Sequence, residues 1–240
     1  ELTRKVVFLR PLGLRLHTEL REKGVKLLLN TAVAGFEEED GGVRVLLNGK
    51  EPLHADMVVM AIGVSPDTKL AADAGLTLGV KRSIAVNQRM ETSVPDIYAV
   101  GDAVEIRHTV SGQNTLVSLA GPANKQARIA ADNICGGESV YSGAQGSSVI
   151  KIFDLTVATT GLKEEAARAA GIDCDKVYLS PSSHASYYPG GKVMTMKLLF
   201  ERKTYRILGA QIVGYDGVDK RIDVLATAMH ADLTALQLKE

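Results

Sequence analysis

The first third of the chain alternates helical and strand-like patterns, which is typical of an α/β domain. Leu12, Leu16 and Leu20 recur at helical spacing, and Gly24 follows them as a helix-ending residue. Residues 25–29 are mostly apolar and predict a strand directly after that helix.

The same region then predicts a hairpin and a buried strand. Residues 32–39 and 43–47 form its two arms, and the Asp-Gly-Gly sequence at residues 40–42 favours a tight turn between them. Residues 57–62 are nearly all apolar, as in a central strand that is covered on both faces. Gly63 then ends this strand.

A short apolar run at residues 97–100 predicts another buried strand near the middle of the chain. Pro95 and Asp96 set a turn before the strand, and Gly101 and Asp102 end it. The glycine lets the backbone approach a ligand, and a carboxylate accepts hydrogen bonds from sugar-like hydroxyls. Ligands of open α/β sheets lie beyond the carboxyl ends of the strands, where Asp102 would stand. A Gly-Asp pair can also make a plain turn.

The sequence after residue 116 predicts a helix with one face of small side chains. Pro122 is expected at the first helical position, and Gly136 and Gly137 end the helix. The small face consists of Ala123, Ala127, Ala130, Ala131 and Ile134. This face permits close approach of a flat ring, and the helix N-terminus offers unpaired N–H groups and roughly half a positive charge. A helix that merely packs on a sheet would show the same pattern.

From residue 147 the pattern changes to α+β. The predicted strands cover residues 149–153, 156–160, 176–179, 193–200 and 207–213. The predicted helices cover residues 163–170 and 219–230, and Thr234 is the expected N-cap of a further helix. We expect a sheet with helices on one face.

Composition excludes several classes of function. Lys+Arg and Asp+Glu are both 28, so the formal net charge is zero and gives no electrostatic case for nucleic acid or an anionic membrane surface. No apolar run is long enough for a membrane span. Cys135 and Cys174 lie far apart and form no metal-ligand cluster. We therefore expect a cytoplasmic protein without metal, nucleic-acid or membrane partners.

Residues 92–103, Thr-Ser-Val-Pro-Asp-Ile-Tyr-Ala-Val-Gly-Asp-Ala, closely resemble the flavin-binding segment of the pyridine nucleotide-disulfide oxidoreductases. The resemblance implies an FAD site in which Asp102, after Gly101, holds the ribityl chain. It also implies that three residues near the start of the following helix line the isoalloxazine ring: Leu119, Ala120 and Asn124. In the family, that helix N-terminus stabilises negative charge on the reduced ring.

The order of helix, strand, hairpin and the run Val-Val-Met-Ala-Ile-Gly-Val-Ser-Pro at residues 58–66 resembles the second half of the same family's NAD(P)-binding domain, where a strand end faces the nicotinamide. The resemblance therefore implies that Ala61, Ile62 and Gly63 contact NAD(P)H. Without it, Gly63 would only end a strand.

Two C-terminal segments extend the resemblance. Residues 209–214, Gly-Ala-Gln-Ile-Val-Gly, resemble the family's dimerisation domain, which implies a homodimer through this domain. Residues 184–191, His-Ala-Ser-Tyr-Tyr-Pro-Gly-Gly, most resemble the coenzyme A-disulfide reductases and related NADH oxidases. In those reductases, a loop tyrosine donates a hydrogen bond to a substrate sulfur in the partner's active site. By position this role falls to Tyr187, with Tyr188 second; two half-buried loop tyrosines are the alternative.

The expected fold is α/β with α+β: partial Rossmann-like nucleotide-binding lobes followed by an α+β dimerisation domain. The expected domains are the C-terminal part of an NAD(P)-binding domain (1–85), the C-terminal part of an FAD-binding domain (86–143) and the dimerisation domain (144–240). The family's two glycine-rich fingerprints and its redox cysteine precede the regions matched, and no G-x-G-x-x-G occurs in the 240 residues. The expectation is the C-terminal portion of a longer enzyme, with weak or no retention of FAD.

The implied activity is electron transfer from NAD(P)H, through FAD and an upstream cysteine, to a small-molecule disulfide such as coenzyme A-disulfide. An NADH oxidase or a polysulfide reductase of the same fold is the first alternative. A catalytically inactive homodimerising scaffold is the second.

Overall fold

The structure is a computed structural model that describes residues 10–239. The chain divides into two compact units, Glu1–Val64 and Ser65–Glu240, which are described separately below. The predicted limits at residues 85 and 143 divide the chain by function rather than by compactness, and they stay a prediction.

Helix α1 (Arg10–Glu22) opens the described part of the first unit. Leu12 and Leu16 on its apolar face are buried, as their spacing predicts. Gly24 follows with φ +82°, a left-handed conformation that ends helices at low cost for glycine. The predicted helix and its stop are confirmed.

A three-stranded antiparallel sheet follows, with strands β1 (Val33–Glu39), β2 (Gly42–Leu47) and β3 (Lys50–Ala55) in that order. Glu39 pairs with Gly42 across the turn, where Gly41 has φ +80°. The predicted hairpin is confirmed. Strand β3 was not predicted, because its sequence Lys-Glu-Pro-Leu-His-Ala lacks a clear apolar alternation.

The other two strands predicted for this unit are not formed. Residues 25–29 and 57–62 are irregular, and Met57 and Val59 are 77% and 80% exposed. A strand exists only when a neighbouring strand pairs with its backbone, and no described segment of this unit pairs with either stretch. Apolar composition therefore gave a wrong prediction of secondary structure at both places.

The first part of the second unit is mostly irregular backbone joined by short pairings. Its regular elements are α2 (Lys69–Asp73), the paired strands β4 (Ile106–Arg107) and β5 (Asn114–Thr115), and α3 (Ala120–Ile134). A small core joins β4 and α3 to the neighbouring loops and consists of Met90, Val104, Ile106, Ala130 and Tyr141. Helix α3 thus packs against the loops that precede it.

A five-stranded antiparallel sheet forms the rest of the second unit. Its strands are β6 (Ser148–Ile152), β7 (Leu155–Gly161), β8 (Cys174–Leu179), β9 (Thr195–Glu201) and β10 (Ile207–Gly214). Their order in the sheet is β6-β7-β10-β9-β8, and the central strand β10 is buried along its whole length. The strands predicted in this region are confirmed within a few residues.

Two helices cover this sheet, α4 (Glu164–Ala169) and α5 (Val218–His230), one on each face. Met196 and Leu198 of β9 point to the cluster that contains α5 residues. Leu199, the next residue of β9, packs with Ala167 of α4 on the other side. The expectation of helices on one face is wrong, because alternate residues of β9 bring apolar side chains to both faces.

The last predicted helix is present as a short 3-10 turn, Gln237–Lys239, and the Gln237 N–H donates to Thr234 Oγ1 at 3.3 Å. Across residues 10–239, every helix is too short or too polar to cross a bilayer. The same residues contain no group of three His, Cys, Asp or Glu side chains placed to bind a metal ion.

One buried carboxylate joins α4 to the sheet. Glu164 in the first turn of α4 accepts hydrogen bonds from Lys176 of β8 and Lys197 of β9 at 2.7 Å, and Arg168 lies 2.6 Å away. Lys197 is only 2% exposed. Hydrogen bonds from Lys176 and then Lys197 lower the pKa of Glu164 to about 2, against the upward effect of burial.

We predict that Glu164→Gln destabilises the protein at pH 7 by about 2–3 kcal/mol, because it leaves buried Lys197 without a counter-charge. The folded carboxyl titrates below its ordinary pKa, so its contribution is complete above about pH 5 and disappears as the pH falls towards about 2. Urea unfolding at pH 7, 5 and 3 measures this. The difference in the free energy of unfolding between wild type and variant should become smaller as the pH falls.

Glu165→Gln is the matched control, since Glu165 lies in the same helix turn and is exposed. Equal losses for the two variants, or a Glu164→Gln loss that does not change with pH, would contradict the prediction.

Candidate functional site

The segment before Asp102 confirms the predicted turn but not the predicted strand. Pro95 and Asp96 form a turn, and Asp96 has φ +62°. Of residues 97–100, Tyr98 makes an isolated antiparallel bridge to Glu91, and no regular strand forms. The prediction of a buried strand is wrong because only one residue of the run finds a pairing partner in the described chain.

Gly101 and Asp102 form a short 3-10 turn, Gly101–Ala103. Gly101 has φ +86°, and an added Cβ would meet nothing within 4 Å, so the backbone conformation rather than lack of space requires glycine. Asp102 is exposed, and among the described residues no group donates a hydrogen bond to its carboxylate. The turn therefore presents a free acceptor to solvent.

Backbone and side-chain hydrogen bonds hold this turn in place. The Gly101 N–H donates to Gln126 Oε1 of α3 at 2.7 Å. The Ala103 carbonyl accepts from the Ile84 N–H at 2.8 Å, and the Ile84 carbonyl in turn accepts from the next strand-like residue, Glu105, at 3.0 Å. The turn is thus attached to α3 on one side and to residue 84 on the other.

The Glu105 carboxylate, which is buried, fixes a second loop beside the turn. It accepts the Val80 N–H at 2.8 Å and the Asn114 Nδ2 at 2.9 Å. A Cβ at Gly79 would clash with this carboxylate, so glycine is needed there for close approach. Glu105 thereby joins its own stretch of chain to those around Val80 and Asn114. It lies three residues after Asp102.

Helix α3 begins two residues earlier than predicted. Leu119 has extended backbone and precedes the helix, which makes Ala120 the first helical residue and Pro122 the third. No side chain caps this end. Among the described groups, the N–H groups of Ala120 and Gly121 have no acceptor, and Pro122 has no N–H to satisfy. The helix start is therefore open to an acceptor from outside the chain.

The small-residue face of α3 is largely exposed, and a different set of residues is buried. Gln126, Ala130 and Asn133 are the buried residues, whereas Ala127 and Ala131 are exposed. Two of the three buried side chains are polar and are held by hydrogen bonds: Asn133 donates to the Arg89 and Ser139 carbonyls. The approach of a flat ring or another backbone to the small-residue face stays a prediction, and the face that packs inside this unit carries buried amides instead.

The predicted site residues fall into three places. Gly101 and Asp102 lie on the turn against α3, and three residues surround the start of α3: Leu119 half-buried, Ala120 and Asn124 exposed. Asn124 donates its Nδ2 to the Ala120 carbonyl at 3.0 Å. Ala61, Ile62 and Gly63 belong to the first unit, where Ile62 is exposed and Gly63 has φ +91°. Tyr187 and Tyr188 lie on a loop beside the sheet.

The tyrosine loop, residues 184–191, is closed at its base and open at its tip. Ser183 and Lys192 join its ends, with the Ser183 N–H donating to the Lys192 carbonyl at 2.8 Å. At the tip, Tyr187 is 83% exposed and Tyr188 is 65% exposed, with ring centroids 5.6 Å apart. The rings are exposed rather than half-buried, and Gly190 turns the chain with φ +85°.

Three residues that sequence reasoning missed shape these places: Gln126, Glu105 and Arg221. Arg221 of α5 donates from Nη2 to the Ser183 carbonyl at 2.6 Å and so holds the base of the tyrosine loop. For Gln126, the available signal was a polar residue at a helix position that repeats with buried Ala130 and Asn133. Glu105 carried no local signal, because its partners lie 25 and 9 residues away.

Comparison with known proteins gives two family matches. Residues 3–127 match the model described as pyridine nucleotide-disulphide oxidoreductase, and residues 147–240 match the dimerisation domain of the same family.

The chain is also similar to individual proteins. It is 35% identical over 216 residues to the NAD(P)H sulfur oxidoreductase (CoA-dependent) of Pyrococcus abyssi, covering 90% of this chain and 48% of that protein. It is 35% identical over 223 residues to the coenzyme A disulfide reductase of Staphylococcus aureus strain JH9, covering 92% and 50%. The chain thus spans about half the length of these relatives.

A solved structure gives the same result for the fold. The NAD-dependent persulfide reductase from A. fulgidus superposes with a TM-score of 0.91 at 39% identity, covering 96% of this chain and 43% of that chain.

Proposed function

Because the chain belongs to the pyridine nucleotide-disulphide oxidoreductase family, we propose that it carries part of an FAD site and a tyrosine that serves disulfide reduction. Members of the family depend on FAD and use NAD(P)H. The proposed overall reaction transfers electrons from NAD(P)H to coenzyme A disulfide. The observation that carries the proposal is that the Asp102 carboxylate accepts no hydrogen bond from the described residues. The turn that presents it is attached to α3 by the hydrogen bond from the Gly101 N–H to Gln126.

The chemistry of this region fits a flavin nucleotide. The exposed Asp102 carboxylate has no hydrogen-bond donor among the described residues, as suits an acceptor for the hydroxyls of a ribityl chain. The open space around Gly101 admits a ligand close to the backbone. When bound, FAD would supply the two-electron redox chemistry of the reaction.

The start of α3 would serve the ring system. The free N–H groups of Ala120 and Gly121 and the positive end of the helix stabilise negative charge on a bound ring. Leu119 offers an apolar side chain beside them, and Asn124 keeps an exposed side-chain oxygen because its Nδ2 is already bonded to Ala120. These residues bind and orient the ring and supply electrostatic stabilisation.

For NAD(P)H, we propose contacts from Ala61, Ile62 and Gly63. Gly63 has a left-handed backbone and no side chain, which leaves room for close approach of a planar ring. The family's use of NAD(P)H supports this assignment.

For the acceptor, we propose coenzyme A disulfide, with the Tyr187 hydroxyl donating a hydrogen bond to a sulfur and Tyr188 in a supporting position. The supporting observations are the exposure of both rings and the similarity to a coenzyme A disulfide reductase. Similarity to sulfur and persulfide reductases makes a polysulfide the second candidate acceptor. An assay that offers both acceptors separates them.

A homodimer through residues 144–240 completes the proposal, since the match to the dimerisation domain covers this region. A mostly apolar groove of about 400 Å³ runs along α5; its lining residues are Asp223, Val224, Thr227, Ala228, Ala231, Leu233 and Leu238. Exposed apolar surface of this kind is typical of interfaces. The scaffold alternative keeps this dimer without the chemistry.

We predict that Asp102→Asn weakens FAD binding at least tenfold, because the amide oxygen is a weaker acceptor than the carboxylate. Titration of the protein with FAD, followed by flavin fluorescence, measures the affinity. Asp96→Asn is the control with the same change of charge six residues earlier, at a position where asparagine also tolerates the positive φ. Equal affinities for the two variants would contradict the assignment of Asp102.

We predict that Tyr187→Phe lowers the turnover of coenzyme A disulfide about tenfold and leaves FAD affinity unchanged, because only the phenolic hydroxyl is removed. The measurement is steady-state oxidation of NAD(P)H with that acceptor. Tyr205→Phe is the control, since the Tyr205 ring stacks on Phe200 within the sheet domain. Equal turnover by the wild type and Tyr187→Phe would contradict the assignment of Tyr187, and a dimer that binds no flavin would favour the scaffold alternative.

We predict that Val224→Asp raises the dimer dissociation constant at least tenfold, since it introduces a charge into the apolar groove. Sedimentation velocity over a range of concentrations measures it. Val140→Asp is the control, because Val140 is equally exposed but lies outside the groove. A dimer that Val224→Asp leaves intact would remove the groove from the interface.

A further inference from the structure

Gln126 is an unusual residue for its position. It lies in the second turn of α3, is 1% exposed, and carries a neutral amide with two donor hydrogens and one acceptor oxygen. A buried amide is costly unless its polar atoms find partners. In this structure one partner is the backbone of the turn that carries Asp102, at 2.7 Å.

Tyr141 is a neighbour of this amide and belongs to the small core that also contains Ala130 of α3. Burial raises the pKa of Tyr141, and the nearby Gln126 amide opposes this rise. Gln126 Oε1 accepts from the Gly101 N–H, and this bond ties the amide to the turn.

The bond to Gly101 decides where the next residue points. Gly101 has φ +86°, a conformation in which glycine alone is unstrained, and its N–H is directed inwards to α3. Asp102 follows directly and is exposed. Without an acceptor at residue 126, the inward N–H would be left unpaired, and the turn would lower its free energy by rotating this peptide towards water.

We propose that Gln126 is a positioning residue that fixes the Gly101 peptide and thereby orients the Asp102 carboxylate for its hydroxyl ligand. This inference rests on the proposed FAD site and adds to it a residue that does not touch the cofactor.

The first test needs no cofactor. In Gln126→Met, which keeps the side-chain volume but removes the acceptor, hydrogen exchange of the Gly101 amide by NMR should be at least tenfold faster than in the wild type. Tyr141→Phe, the matched control, leaves the acceptor in place and should retain most of the protection. Unchanged protection of the Gly101 amide in Gln126→Met would overturn the proposal.

The second test is a double-mutant cycle on FAD affinity with Gln126→Met and Asp102→Asn. We expect Gln126→Met to weaken binding at least fivefold, and the double variant to bind within twofold of Asp102→Asn alone, because Gln126 acts through Asp102. Fully additive effects would show a general structural role and overturn the proposal. If Gln126→Met does not fold, Gln126→Glu replaces it: this variant keeps an oxygen towards Gly101 and should keep the amide protected, and loss of protection there overturns the proposal.

The cycle also separates this inference from the proposed function. If Asp102→Asn has no effect on FAD binding, the FAD site itself is wrong and the role of Gln126 in it falls as well. If Asp102→Asn weakens binding and Gln126→Met does not, the FAD site stands and only the positioning role is wrong.

Discussion

A backbone N–H group that is withdrawn from water needs an acceptor, and around Asp102 side chains meet that requirement instead of strands. Gln126 accepts from Gly101, and Glu105 accepts from Val80. Regular sheet is nearly absent from the described residues between 65 and 145, where only β4 and β5 pair over two residues each. The shape of the candidate cofactor region therefore depends on a few buried polar side chains. Each of these side-chain hydrogen bonds is more specific than a backbone hydrogen bond between two strands, because it is made to one particular peptide.

The sequence predicted well those parts of the fold that are formed by neighbouring residues. The hairpin of β1 and β2 has its turn residues between its arms, and β9 and β10 are joined by five residues. The strands predicted at residues 25–29 and 57–62 failed because apolar composition reports the preference of a segment for burial, not the presence of a partner. The start of α3 shifted for a different reason. Proline is acceptable anywhere in the first helical turn, so Pro122 marks the turn but not its first residue.

The candidate site was predictable to the extent that one short segment carries it. Residues 92–103 contain the turn, the glycine and the carboxylate together, so a resemblance could single out Asp102 without knowledge of the fold. The supporting residues could not be found in this way. Gln126 lies 25 residues from Gly101, and Arg221 lies 38 residues from Ser183. The alanine pattern of α3 did not reveal which residues pack inside the unit, since hydrophobic periodicity does not identify buried amides such as Gln126 and Asn133.

Within the Glu164 cluster, the accessibility of one amine to solvent shows whether the C-terminal domain is folded. Lys197 is a primary amine that the sheet and α4 withhold almost completely from solvent, whereas most lysines extend their amines into water. Reagents that acylate amines can reach the Lys197 amine only after α4 has separated from the sheet. The rate at which Lys197 is acylated is thus set by the opening of the domain. Acylation of exposed lysines is limited only by their chemical reaction with the reagent.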